Sequence, residues 1–151
     1  MSKKDLTTLI NKVPKKVMII IDAAYAEYMT DNDYSNGLEF AQKNKNVIVT
    51  RTFSKIYGLA SLRLGWCYAH SNIISSMNKV RGPFNVNHLA QVAGIQALKD
   101  KKYTNNSKKH NMSWLKTMNK ELSKLPIKVY DSRANFCLLY TSDAADEFSC
   151  V

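Results

Sequence analysis

Short apolar runs alternate with amphipathic stretches along the first hundred residues. The runs 17–21 and 47–50 are continuous and rich in β-branched residues, and 62–69 is a third apolar segment. Their length and composition predict three strands, and the first two, apolar at every position, predict burial on both faces of a sheet. Apolar residues at helical spacing predict helices over 5–11, 38–43, 72–80 and 87–99.

The last third of the chain has a different pattern. Residues 101–110 are polar, and we expect this stretch to lie between two units rather than inside a helix. A helix is predicted after it, through Leu125, and Pro126 ends that helix. Two strands, 127–130 and 135–140, are predicted beyond it. We therefore expect a first unit over 1–103 and a second over 104–140.

The alternation of strands and helices predicts an α/β fold with a mostly parallel sheet flanked by helices. In sheets of this kind ligands bind beyond the carboxyl ends of the strands. Asp22 follows the first predicted strand, and the polar string 52–55 follows the second. These residues are therefore expected to meet at one edge of the sheet although they are far apart along the chain.

The charge of the chain changes this picture little. The formal net charge is +10, but 18 of the 22 basic residues are lysines spread over distant segments. Nucleic-acid recognition favours arginine, and no DNA- or RNA-binding signature is present. We interpret the lysines as a solvated surface and expect no nucleic-acid partner.

Three further classes of protein are disfavoured by the residue pattern. No apolar run approaches the ~18 residues of a membrane span, and the first residues lack the apolar core of a secretory signal. The three cysteines, at positions 67, 137 and 150, do not have the spacing of a metal site or a disulfide framework. We expect a cytoplasmic chain without a membrane or a metal partner.

The string after the second strand carries the most informative chemistry. Lys55 stands directly beyond a buried strand, where an amine is unusual, and two hydroxyls precede it, Thr52 and Ser54. Arg63 follows eight residues later. Hydroxyls, a guanidinium and backbone N–H groups together suit a dianionic phosphate.

The neighbouring strand end adds an acid and a phenol, Asp22 and Tyr25. A carboxylate, a phenol, an amine and a phosphate socket match the polar groups of pyridoxal phosphate, which are its ring nitrogen, phenolic oxygen, aldehyde carbon and phosphate. Alone, each residue has a structural explanation, such as a helix cap for Asp22 or an ion pair for Arg63. Their order and spacing together favour a cofactor site.

At these positions the sequence resembles the fold-type I pyridoxal-phosphate aminotransferases, most closely the histidinol-phosphate aminotransferases. The resemblance rests on IIIDAAYAEY (19–28), VTRTFSKIYGLASLRLGW (49–66) and KVRGPFNVNHLAQ (79–91). It departs from the family pattern at Ala23, where glutamate is usual, and at Ser61, where glycine is common. Neither departure removes a group that would touch the cofactor.

The resemblance implies a role for each matching residue. Lys55 would bind the cofactor covalently and then move a proton of the substrate, and Asp22 would keep the ring nitrogen protonated. Tyr25 would donate a hydrogen bond to the phenolic oxygen. The phosphate would be held by Ser54, Arg63 and Thr52, and the substrate region would include Asn85.

The resemblance also implies fold, function and assembly. The fold would be part of the aspartate-aminotransferase-like large domain, followed by the start of the small C-terminal α+β domain. The reaction would be transamination between histidinol phosphate and 2-oxoglutarate in histidine biosynthesis, by a homodimer. An aromatic-amino-acid aminotransferase, a threonine-phosphate decarboxylase and a basic non-catalytic binding module are the alternatives.

The resemblance begins late in the family's chain and stops early. The chain is therefore expected to be an incomplete copy that shows no transamination by itself. Its last residues, 141–151, carry three acids and no base, whereas 1–133 carries all 22 bases. We expect this tail to be non-native.

Overall fold

A computed structural model describes residues 1–140, and the expected tail 141–151 lies outside the described residues. The chain divides into two compact units, Met1–Lys101 and a unit that begins at Lys102. The first unit holds every residue that the sequence places in the cofactor site.

The helices and strands of the first unit follow one another in the order that the sequence predicts. In chain order the elements are α1 (Lys3–Lys12), β1 (Ile19–Asp22), α2 (Leu38–Lys43), β2 (Val47–Thr52), β3 (Gly65–Tyr68), α3 (Ser71–Val80) and α4 (His88–Lys99). Short 3-10 helices lie at Ala26–Tyr28 and Ala60–Leu62. The four helices predicted in this unit are confirmed to within two residues at each end.

Local sequence explains where α1 begins and ends. The Ser2 hydroxyl accepts a bond from the Asp5 N–H at 3.1 Å, which satisfies an amide that the first helical turn leaves unpaired. Leu6 and Ile10, four residues apart, share one face and are 3% and 2% exposed. Pro14 follows the last turn and cannot extend the helix.

The strand order of the sheet is β1-β2-β3. β1 and β2 are parallel, whereas β2 and β3 are antiparallel, so the described sheet is mixed rather than mostly parallel. The connection explains the difference. Residues 53–64 join β2 to β3 with only one 3-10 turn, and a parallel return requires a crossover that is usually a complete helix.

Burial is one-sided in this sheet. Val47 and Val49 are fully buried against the helices on one face. On the other face Ile20 is 65% exposed, so the prediction that β1 is buried on both faces is wrong for the described residues. The reason is that α1 and α2 both pack on the Val47 side.

Two close approaches position the elements around the sheet edge. Gly37, at the start of α2, has φ +86°, and a Cβ there would lie 2.7 Å from Ile21 Cδ1. At Gly94 in α4 a Cβ would lie 2.5 Å from Leu64 Cδ2 and 3.6 Å from the Phe53 ring. The missing side chain therefore lets α4 pack directly on the segment between β2 and β3.

The second unit contains α5 (Lys101–Leu122) from its second residue onward, β4 (Lys128–Tyr130) and β5 (Leu138–Tyr140). β4 and β5 pair antiparallel. The expectation that 101–110 is a non-helical connection is wrong, because this stretch forms the first half of α5. It contains neither proline nor glycine, and a helix exposed on most sides needs no apolar periodicity.

Candidate active site

Three strand ends meet at one edge of the first unit's sheet. Asp22, the last residue of β1, pairs with Thr50, and Thr52, the last residue of β2, pairs with Gly65, the first of β3. Because β3 is antiparallel, the residue two positions before it, Arg63, arrives at this same edge. A parallel β3 would have placed Arg63 at the opposite edge of the sheet.

The Asp22 carboxylate is fixed through one of its oxygens. Its Oδ1 accepts the Ala24 N–H at 3.1 Å and the Thr50 hydroxyl at 3.5 Å. The Ala23 N–H donates to the Thr50 carbonyl at 3.0 Å and continues the ladder past the strand end. Within residues 1–140 the second oxygen, Oδ2, has no protein partner, so the carboxylate can accept a proton donor from a ligand.

Lys55 is half-buried beside Tyr25. Its Nζ lies 5.2 Å from the centroid of the Tyr25 ring, within the range of a cation–π contact. No ion pair in the described part of the chain involves Lys55. The Gly58 N–H donates to the Lys55 carbonyl at 3.0 Å, and Ile56 is 2% exposed, so the loop that carries the amine is anchored on both sides.

The residues predicted to bind phosphate have different local functions. The Thr52 hydroxyl accepts the Ser54 N–H at 3.0 Å and so shapes the start of the loop. Arg63 has φ 53°, in the left-handed region, and its guanidinium donates to the Ala60 carbonyl at 2.8 Å. The remaining N–H groups of this exposed guanidinium have no partner among residues 1–140.

Asn85 forms no hydrogen bond with Asp22, Lys55 or Arg63 in the described chain, although it lines a cavity together with Gly65, the first residue of β3. Its Oδ1 accepts from Arg81 at 3.1 Å, and the Arg81 Nε donates to Asn78 at 2.7 Å. With Cys67 and Met77 it lines an open cavity of about 470 Å³ beside α3.

Sequence reasoning missed a group of three residues next to the site, which we call the Glu27 bridge. It consists of the Glu27 carboxylate, the Arg51 guanidinium that forms an ion pair with it, and the Tyr57 hydroxyl, which donates to Glu27 Oε1 at 3.5 Å. The Arg51 and Glu27 side chains are only 11% and 17% exposed. The available signal was an arginine directly after the apolar run 47–50, because a cation that becomes buried requires a partner.

Burial and charge both act on the bridge's phenol. Burial raises the pKa of Tyr57 above its ordinary 10.0, the Glu27 carboxylate raises it further, and Arg51 lowers it in part. Burial also raises the pKa of Tyr34, against the opposing effect of Arg51. Both phenols are therefore held neutral in the folded chain.

This shift predicts how stability depends on pH. The pKa of Tyr57 is higher in the folded chain than in the unfolded chain, so its neutral phenol contributes to the free energy of unfolding. This contribution is complete below about pH 10 and is lost as the pH rises through the raised pKa. Tyr57→Phe removes the ionisable group, so its free energy of unfolding should fall less steeply above about pH 10. Urea unfolding at a series of alkaline pH values checks this. Tyr68→Phe, at an exposed position, is the matched control, and equal slopes for Tyr57→Phe and wild type would contradict the assignment.

The chemical content of the edge fits one kind of ligand. It offers an anionic oxygen, an amine, a hydroxyl and a guanidinium that no other described residue neutralises. These groups match a cationic ring nitrogen, an electrophilic carbon and a phosphate. Among residues 1–140 no three histidine, cysteine or acidic side chains are grouped as metal ligands, and no helix is both long and apolar enough to cross a membrane.

The mixed sheet and its polar strand-end edge define an α/β protein with a site whose groups suit pyridoxal phosphate. Residues 1–150 match the family model "Aminotransferase class I and II", and the chain belongs to this family. The α/β fold class expected from the sequence is thereby confirmed, with a mixed sheet in place of the mostly parallel one.

Individual relatives agree with this assignment. The chain is 48% identical over 139 residues to a histidinol-phosphate aminotransferase of Pelagibacter ubique. These 139 residues are 92% of this chain and 39% of the relative. A putative histidinol-phosphate aminotransferase of Erwinia carotovora atroseptica superposes with a TM-score of 0.87 at 26% identity, over 94% of this chain and 41% of that one. A histidinol-phosphate aminotransferase of Sinorhizobium meliloti, solved in complex with pyridoxal-5'-phosphate, superposes with a TM-score of 0.88 at 23% identity. That match covers 97% of this chain and 39% of the other. The chain thus spans about two fifths of the length of these relatives.

Proposed function

We propose that this chain is the cofactor-binding part of an aminotransferase that uses pyridoxal phosphate and transfers an amino group between histidinol phosphate and 2-oxoglutarate. One observation carries the proposal. Lys55 lies half-buried beside Tyr25, without an ion pair in the described chain, at a sheet edge where the Asp22 carboxylate presents an unpaired oxygen. The 48% identity to a histidinol-phosphate aminotransferase supports this choice of substrate.

Each edge residue then has a defined task. Lys55 Nζ would hold the cofactor at its aldehyde carbon, with the carbonyl oxygen leaving as water. Once the amino group of the substrate replaced it there, the freed amine would move a proton at the α-carbon of the substrate. Asp22 Oδ2 holds a proton on the ring nitrogen, while Oδ1 stays engaged with the Ala24 N–H. When bound, pyridoxal phosphate supplies an electron-withdrawing ring that accepts the electron pair left at that α-carbon.

The remaining residues orient the cofactor and hold its phosphate. Tyr25 donates its hydroxyl proton toward the phenolic oxygen, and its ring limits the positions open to Lys55. Ser54 and Arg63 bind the phosphate through a hydroxyl and free guanidinium N–H groups. Thr52 contributes by fixing the Ser54 backbone, and Asn85 belongs to the substrate region.

The organisation of the intact enzyme is part of the same proposal. Residues 1–103 form the C-terminal part of the large domain, and 104–140 form the start of the small domain. The intact enzyme acts as a cytoplasmic homodimer in histidine biosynthesis.

A full-length chimera tests the proposed reaction. The 139 aligned residues of the Pelagibacter enzyme are replaced by those of this chain, and the product is supplied with pyridoxal phosphate and 2-oxoglutarate. Separate reactions contain histidinol phosphate, phenylalanine or threonine phosphate. We expect glutamate to form fastest with histidinol phosphate.

Other outcomes identify the alternatives. Faster glutamate formation from phenylalanine would indicate an aromatic-amino-acid aminotransferase, and release of carbon dioxide from threonine phosphate would indicate a decarboxylase. No reaction, together with salt-dependent retention of the 151-residue chain on DNA, would indicate a basic binding module. The 151-residue chain itself is expected to form no glutamate.

A further inference from the structure

Two loops supply the proposed site, and each places a second residue in the Glu27 bridge. Glu27 follows Tyr25 by two residues, and Tyr57 follows Lys55 by two residues. Tyr25 and Lys55 contact each other at the site, where Lys55 Nζ lies 5.2 Å from the Tyr25 ring centroid. Glu27 and Tyr57 contact each other at the bridge, where the Tyr57 hydroxyl donates to Glu27 Oε1. The two loops are therefore joined twice, once at the site and once at the bridge.

Arg51 attaches the bridge to the sheet. Side chains alternate along β2, so Arg51 lies on the face opposite Thr50 and Thr52, and Thr50 is the residue whose hydroxyl reaches Asp22. The Arg51 guanidinium also lies 5.5 Å from the centroid of the Trp66 ring on β3. The ion pair with Glu27 is thus largely buried and anchored in two strands, which fixes its geometry better than a surface pair.

The Lys55 loop has little freedom around this anchor. The Phe53 and Tyr57 rings are 5.0 Å apart, and Phe53 is 6% exposed. The Leu59 N–H donates to the Phe53 carbonyl at 3.0 Å and closes the loop. A displacement of Tyr57 therefore carries Lys55 with it.

We propose that Glu27 is a positioning residue that sets the place of Lys55 relative to Tyr25. Its carboxylate holds the turn after β1 and the loop after β2 against the same strand arginine, Arg51. The proposal rests on the proposed function, because it states what orients the amine assigned to the cofactor. Removal of the carboxylate charge frees the Lys55 loop and leaves the sheet in place.

The test uses the complete 151-residue chain without cofactor. Lysines are acetylated competitively over a range of pH, and the ratio of the labelling rates of Lys55 and the exposed Lys43 is obtained by peptide mass analysis. Hydrogen exchange is followed in residues 53–59 and in β2. In Glu27→Gln we expect this ratio to rise at least about three-fold, with a changed pH profile and with exchange that accelerates in 53–59 but not at Val47 and Val49 of β2.

Glu39→Gln is the matched control. Glu39 also forms an ion pair, with Lys3 at 3.8 Å, and accepts the Ser35 hydroxyl at 2.9 Å, but it does not contact the Lys55 loop. We expect this variant to leave the Lys55 to Lys43 ratio and its pH profile unchanged.

Three results would overturn the proposal. The first is a folded Glu27→Gln variant in which the Lys55 to Lys43 labelling ratio and its pH profile are unchanged. The second is hydrogen exchange at Val47 and Val49 that accelerates as much as exchange in 53–59, because Glu27 would then only stabilise the fold. If Glu27→Gln does not fold, Tyr57→Phe decides, since it keeps the ring beside Phe53. We expect Tyr57→Phe to raise the Lys55 to Lys43 labelling ratio about two-fold. The third result that would overturn the proposal is a Tyr57→Phe variant with no such rise.

Failure of the proposed function is a separate outcome. Covalent fixation of pyridoxal phosphate on another lysine of the wild-type chain would contradict the role given to Lys55. It would not alter the acetylation ratios, which are measured without the cofactor.

Discussion

Replacing Lys55 with alanine in the chimera is expected to lower transamination at least ~10³-fold and to abolish covalent fixation of the cofactor. The residue is assigned two tasks, the bond to the cofactor and the proton transfer at the substrate, and alanine can perform neither. Glutamate formation with saturating histidinol phosphate measures the loss.

Lys43→Ala is the control for that experiment. Lys43 is the last residue of α2, is exposed and lies away from the strand-end edge, so its removal should leave the rate unchanged. A Lys55→Ala chimera that retains more than about a tenth of wild-type turnover would show that the proton transfer belongs to another group.

Asp22→Asn is expected to reduce turnover by some tens to hundreds of fold and to weaken cofactor binding much less. Asparagine keeps an oxygen that can accept the Ala24 N–H, so the turn after β1 should be preserved. It loses the charge that would hold the ring nitrogen protonated, and a hydrogen bond to a charged group is worth about 2–3 kcal/mol.

The separation of the two effects is the informative part of the Asp22 experiment. Turnover is measured at saturating cofactor, and cofactor affinity is measured by titration of the apo chimera. Asp33→Asn, in an exposed loop, provides the control for loss of a carboxylate. Wild-type turnover in Asp22→Asn would mean that the ring nitrogen is controlled by a different residue.

Local sequence determined most of the fold of the first unit. The helix 38–43 is predicted with its observed bounds, and in the structure Gly37 and Asn44 lie at its two ends. The strands are predicted because short β-branched runs lie between polar turns, and Asp22 and Thr52 follow from where those runs stop. What periodicity cannot supply is strand direction, and the direction of β3 depends on the length and content of the connection 53–64.

Direction also decides which residues share the site. Arg63 reaches the site edge only because β3 runs antiparallel to β2, so its placement required the three-dimensional structure. The Glu27 bridge escaped prediction for a related reason. Glu27 and Arg51 are 24 positions apart, and nothing along the chain pairs one particular acid with one particular base. One-sided burial of β1 is likewise a matter of which helices are present, and the apolar run itself does not contain that information.

The most direct test of the account is where pyridoxal phosphate becomes attached. The chimera is incubated with the cofactor, reduced with borohydride, digested and analysed by mass spectrometry, with wild type and Lys55→Ala treated alike. The account predicts one dominant pyridoxyl group, on Lys55, that is lost in Lys55→Ala. A dominant label on Lys43 or Lys79, or the same amount of label spread over many lysines in both proteins, would contradict it.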